Sequence, residues 1–171
     1  MRRLARAATA GAAVWAALGA AGCYTVGVVP PPGVSRILVP FAVNETFPYE
    51  REIEYDMTRE LRRRIEMQSP CIPVTDAADA DAALRVTIKS YRQNVVAEDR
   101  LDRPVYAHAE LAVHVDFRRV GGPDAEVFFN DTLHDRFTFR ADAGFEAARR
   151  DIVRRLADRI LAEVLNTWDE P

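Results

Sequence analysis

The chain has 171 residues, 49% hydrophobic and 29% charged, an ordinary globular composition of about one domain that excludes a disordered or low-complexity chain. Two cysteines are too few for a disulfide scaffold or a structural zinc site. The formal charge of −3 becomes −6 when Arg2, Arg3 and Arg6 are set aside with a removable N-terminal segment, which leaves no basic footprint for a nucleic-acid partner.

Met1 to Arg6 carries three arginines and no acid, and Ala7 to Ala21 is interrupted by only one polar side chain, Thr9. These are the charged and apolar regions of a secretory signal. Fifteen residues reach about 22 Å as a helix, short of the roughly 30 Å hydrocarbon core of a bilayer. Ala20-Ala21-Gly22-Cys23 follows and resembles a bacterial lipobox. That resemblance implies a signal peptide over residues 1–22 and a diacylglycerol thioether on Cys23. It also implies an outer-membrane, lipid-anchored product facing the periplasm, since Tyr24 is not the Asp that marks inner-membrane retention. Cys71 is then expected to be a buried thiol at the start of a strand, with an intermolecular disulfide as the alternative.

Residues 23–34, with Pro30-Pro31-Pro32, read as a lipidated terminus and extended tether, and residues 35–168 as one α+β domain. Ile37 to Val43 is a short apolar run, expected to be a buried strand. Pro48 is placed just inside the next helix, whose stripe is Ile53, Met57, Leu61 and Ile65 and which Pro70 stops. Cys71 to Thr75 is a second strand, parallel to the first by the strand-helix-strand rule. Leu84, Val86 and Ile88 alternate with Arg85, Thr87 and Lys89. Val105 to Phe117 alternates over thirteen residues, with Tyr106, His108, Glu110, His114 and Asp116 on the second face. Gly121-Gly122-Pro123-Asp124 reads as a turn, and Val127 to Phe139 as the returning strand.

Keeping the apolar faces together sets Phe117 against Phe129 or a neighbour two residues away, and the first choice sets Glu110 against Arg136. Asp131 and Asp135 break the parity of the return strand, as a bulge or an edge strand with inward charges would. A final helix starts near Ala143 with Asp142 as N-cap, its stripe running Phe145, Ala148, Ile152, Leu156, Ile160 and Val164. The expected fold is a two-layer α+β sandwich of order β-α-β-β-β-β-α. Its mixed, mostly antiparallel sheet carries both helices on one face and leaves the other polar.

No catalytic or metal constellation is present in the sequence. His108 and His114 lie about 20 Å apart along one strand and cannot share an ion. Asp76, Asp79 and Asp81 lack the glycine and glutamate of a calcium loop and read as turn and cap residues. The arginines of 62–64, 149–150 and 154–155 read as solvated helix faces rich in acids. No cofactor is expected, and enzyme activity is not.

Ile37 to Pro48 (ILVPFAVNETFP), Met57 to Leu61 (MTREL) and Ala80 to Tyr91 (ADAALRVTIKSY) together resemble the LptE family of lipopolysaccharide-assembly lipoproteins. The resemblance implies a partner: an LptD-like outer-membrane β-barrel that the protein plugs and helps to assemble, passing lipopolysaccharide to the outer leaflet. Direct contact with lipopolysaccharide would need cations for its phosphates. Arg85, Lys89, Arg92, Arg136 and Arg140 are the candidates. Parity puts Arg85 and Lys89 on one face and Arg92 on the other unless the strand bulges. Part of the P-F-x-N-x-T pattern is shared with other envelope lipoproteins, so a lipid-anchored regulator of a peptidoglycan synthase stands as the alternative. The tether of about ten residues reaches at most about 35 Å, short for a regulator that must cross the cell wall.

Overall fold

The computed structural model describes residues 29–121 and 125–165. The expected signal segment, Cys23 and the Gly122 to Asp124 part of the expected turn lie outside the described residues. Strands β1 (Arg36–Leu38) and β2 (Val43–Asn44) precede helix α1 (Ile53–Gln68), and β3 (Ile72–Val74) follows it. Three long strands come next, β4 (Ala82–Glu98), β5 (Pro104–Arg119) and β6 (Val127–Arg140), before helix α2 (Phe145–Leu165). One mixed sheet runs in the order β3-β1-β4-β5-β6, with β2 also paired to β4. The β1/β3, β1/β4 and β2/β4 pairs are parallel, and the β4/β5 and β5/β6 pairs antiparallel.

The apolar run at Ile37 to Val43 forms two short strands rather than one. Pro40 has no N–H to give a ladder, and the Ala42 amide turns instead to the Thr58 hydroxyl of α1 at 3.0 Å. Pro48 is not in the helix, which begins five residues later at Ile53. The intervening loop is closed by Asn44, which donates to the Glu50 carbonyl at 2.7 Å and to the Glu54 carboxylate at 2.8 Å. Asp142 does not cap α2: it sits in a 3₁₀ turn, and Gly144 at φ 89° makes the entry. That left-handed region suits glycine. The Pro30–Pro32 end of the expected tether lies against the domain. Pro31 is buried, Val34 N–H donates to its carbonyl at 3.1 Å, and Arg119 donates to the Pro32 carbonyl.

Both helices cover one face of the sheet. Met57, Leu61 and Ile65 of α1 and Ile152, Leu156 and Ile160 of α2 are buried against Leu84, Val86, Ile88, Leu111, Val113, Val115 and Phe117. Each such side chain removed from water stabilises the fold by roughly 1.5–3 kcal/mol, which makes this face the principal source of stability. Phe145 is the exception in the α2 stripe, part exposed and edge-on to Phe139 at 5.5 Å. Val105 is exposed near the tip of the β4–β5 hairpin. The register is Phe117 opposite Phe129 and Glu110 opposite Arg136. β6 ends the sheet, and its inward Asp135 accepts from Arg155 of α2 at 2.8 Å. An inward charge with a partner on the covering helix guards an edge at little cost.

Candidate functional site

The face of the sheet away from the helices is built as cross-strand rows. Arg85, Asp116 and Asn130 make one, then Thr87, His114 and Thr132, then Ser90, Ala112 and His134, then Arg92, Glu110 and Arg136, then Asn94, His108 and Thr138. The rows stay aligned because the β4/β5 register shifts between Ile88 and Ser90, leaving Lys89 as an extra residue. A bulge of this kind resets the parity of everything beyond it. Arg92 therefore joins the face of Arg85, and Tyr91 turns into the core opposite Leu111.

Four of the five candidate cations meet carboxylates. Arg85 lies 3.6 Å from Asp116, Lys89 lies 2.6 Å from Glu45, Arg136 lies 3.4 Å from Glu110, and Arg140 lies 2.7 Å from Asp142. Arg140 holds the Asp142 carboxyl below the ordinary carboxylate range through their hydrogen bond. The Arg92 guanidinium has no ion pair or hydrogen bond among the described residues. Asp116 also accepts two bonds from Arg118, at 2.9 and 2.6 Å. Arg118 carried no signal in the sequence beyond its charge.

Two clusters on this face thus hold two guanidiniums for one carboxylate: Arg85 and Arg118 on Asp116, and Arg136 on Glu110 with Arg92 as the cross-strand neighbour of that glutamate. Each leaves one positive charge uncancelled, and the rows lie about 20 Å apart along β5. A shallow depression of about 290 Å³ lies beside the second row, lined by Ser90, Glu110, Leu111, Ala112, His134, Asp135 and Arg136. Small side chains at Ser90 and Ala112 leave it open. A chain acidic overall therefore presents a locally cationic, polar surface with hydroxyl and imidazole groups between the charges, suited to anionic oxygens. Among the described residues no group of histidine, cysteine and carboxylate side chains could hold a metal ion. Nor is any described helix long and apolar enough to cross a membrane.

The lipopolysaccharide-assembly family model of LptE matches residues 34–164, the whole of this sheet-and-helix unit short of its last residue. The chain belongs to the LptE family. Family membership gives it a role in lipopolysaccharide assembly as a member of a non-enzymatic outer-membrane lipoprotein family. Two solved structures share the fold at low identity. A PelC dodecamer from Paraburkholderia phytofirmans matches at TM-score 0.54 and 11% identity, over 82% of this chain and 96% of its own. The hypothetical protein CT253 from Chlamydia trachomatis matches at TM-score 0.52 and 10% identity, over 78% of this chain and 99% of its own. The rare lipoprotein B from Shewanella oneidensis aligns at 17% identity and TM-score 0.48, over 78% of this chain and 96% of its own. No curated protein matches the chain by sequence.

The arginine clusters of the LptE-like helices are not simply solvated. Arg62 donates to the Val39 carbonyl at 2.7 Å and Arg64 pairs with Asp158 across the helix layer. Arg149 is only 8% exposed. Its burial against the start of α1 and the loop before it comes from α1 packing alongside α2, which helical periodicity in one segment does not reveal.

Proposed function

We propose that this LptE-family chain plugs an LptD-like β-barrel in the outer membrane, helps that barrel to assemble, and assists transfer of lipopolysaccharide to the outer leaflet. The observation that carries the reading is the division of the sheet into one face sealed by two helices and one left polar and open. A wedge of that kind suits a barrel lumen, whose interior is wet and polar.

In this reading residues 1–22 are a cleaved signal and Cys23 is the acylated first residue, tethered through residue 34 to a domain over 35–168. The anchor holds the domain at the periplasmic side of the outer membrane. Arg85, Lys89, Arg92, Arg136 and Arg140 are the cations offered to lipopolysaccharide phosphates. Affinity capture of the native lipidated protein from outer membranes, with mass spectrometry of its amino terminus, tests the whole reading. Recovery of a large β-barrel and an acylated Cys23 is expected. A peptidoglycan synthase without any barrel would support the regulator instead, and residues 1–22 still attached would remove the anchor.

A further inference from the structure

The last strand of a sheet offers a row of backbone N–H and C=O groups to any passing strand. The two outer strands here are β3 and β6, and on both the chain's own groups take up that offer. On β6, Asp131 accepts from the Thr132 amide at 2.6 Å and Asp135 accepts from the Arg136 amide at 2.9 Å. Arg159 of α2 reaches past its own layer and donates to the His134 carbonyl at 2.8 Å. Residues 132, 134 and 136 lie two apart, so all three turn their backbone to the same side of the strand. That side is the free one, because groups facing β5 are bound in the ladder. A new strand laid along the middle of β6 would have to break three bonds first.

The opposite edge is closed by other residues to the same end. The Ile72 amide donates to Ser35 and the Val74 carbonyl accepts from Val39, both toward β1, which turns Pro73 outward. Proline has no N–H to offer a strand. Past the end of β3 the Val39 carbonyl would stand bare, and Arg62 of α1 donates to it at 3.2 and 2.7 Å. Each helix therefore sends one arginine to an edge carbonyl. The far half of β4, beyond its short pairing with β2, differs. Gln93 and Val95 lie opposite Ala109 and Ala107, whose backbone is given to β6, and their own backbone has no cap among the described residues. We propose that the domain is closed to strand addition at β6 and at the β1–β3 edge, so that partners meet the side chains of its open face and loops and not these backbone ladders. The closure stands whatever the partner is. On the plug reading, it keeps the chain out of the ladders of barrel strands that have not yet paired.

The experiment measures amide hydrogen exchange and sedimentation velocity on the purified protein and on Asp131→Ala, Asp131→Asn and the double variant Asp131→Ala/Arg159→Ala. In the wild type the Thr132 and Arg136 amides should exchange about tenfold more slowly than the uncapped amides of Gln93 and Val95. Asp131→Ala should erase the protection of Thr132. Asp131→Asn should keep it, because the side-chain oxygen still accepts, which separates the cap from the charge. The double variant should self-associate at about one tenth of the concentration that the wild type needs. Thr132 and Arg136 amides exchanging as fast as Gln93 would overturn the caps. A double variant that is folded by circular dichroism and associates no more than the wild type would overturn the closure. Should the double variant not fold, Asp131→Ala decides by the same reading, since that side chain is exposed. No barrel is present in these measurements, so their failure leaves the plug reading where it was.

Discussion

The Arg149 guanidinium of α2 lies 3.6 Å from the Asp56 carboxylate of α1, in a site where the arginine side chain is only 10% exposed. It also lies 3.1 Å from Glu146 and 3.7 Å from Glu50, and donates to the Arg51 carbonyl at 2.5 Å. One buried cation thus ties both helix beginnings to the loop that carries Phe47. Removing one partner of a buried charge network strands the others, at a cost of roughly 3–5 kcal/mol. Arg149→Ala should lower stability by about 3 kcal/mol in urea denaturation. The exposed neighbour change Arg150→Ala should stay within about 0.5 kcal/mol. Equal effects would show that Arg149 is a surface residue in solution.

Asp81 fastens the N-terminal segment to the sheet by accepting from the Ser35 and Arg36 amides at 2.9 and 2.8 Å. Those two bonds hold its carboxyl below the ordinary carboxylate range. Because the folded value is the depressed one, its contribution is complete above the unfolded value and disappears as pH falls through the folded one. Wild type should therefore exceed Asp81→Asn in stability at pH 7, with the difference closing below about pH 4. Denaturation midpoints of both proteins at pH 7 and pH 2.5 check this. A constant gap would assign the effect to shape and not to charge.

Lys89 is the extra residue of the β4 bulge and pairs with Glu45 in an exposed bridge, their side chains 44% and 51% accessible. Exposed bridges contribute about 0–1 kcal/mol, so the ammonium is cheaply released to a competing phosphate. Arg92 has no bridge to break. Under the lipopolysaccharide-contact reading, Lys89→Glu and Arg92→Ala should each weaken binding of purified lipopolysaccharide about tenfold, a charge-assisted contact being worth roughly 1.5–3 kcal/mol. Either variant binding like wild type would remove that residue from the site.

Cys71 is a free, buried thiol immediately before β3, with its sulfur 3.7 Å from the Val34 carbonyl. Burial pushes its pKa up, which keeps it protonated and unreactive. Iodoacetamide at pH 8 should label it at least about a hundredfold more slowly in the native protein than in urea. Fast native labelling would mean that the N-terminal segment lifts away from β3.

The alternation along β5 and the fourfold-spaced stripes of both helices were readable in the sequence, because each is set by local geometry repeating along one segment. The alternation narrowed the register to Phe117 against Phe129 or a neighbour two residues away, and the folded sheet takes the first, which pairs Glu110 with Arg136. The position of Arg92 did not follow. It depends on Lys89 being extruded where the β4/β5 register shifts, a choice made between strands and invisible in either alone. The burial of Arg149 and the closed loop under Phe47 are of the same kind. A charge is buried or exposed according to which element comes to lie against it, and that is decided only when the chain has folded.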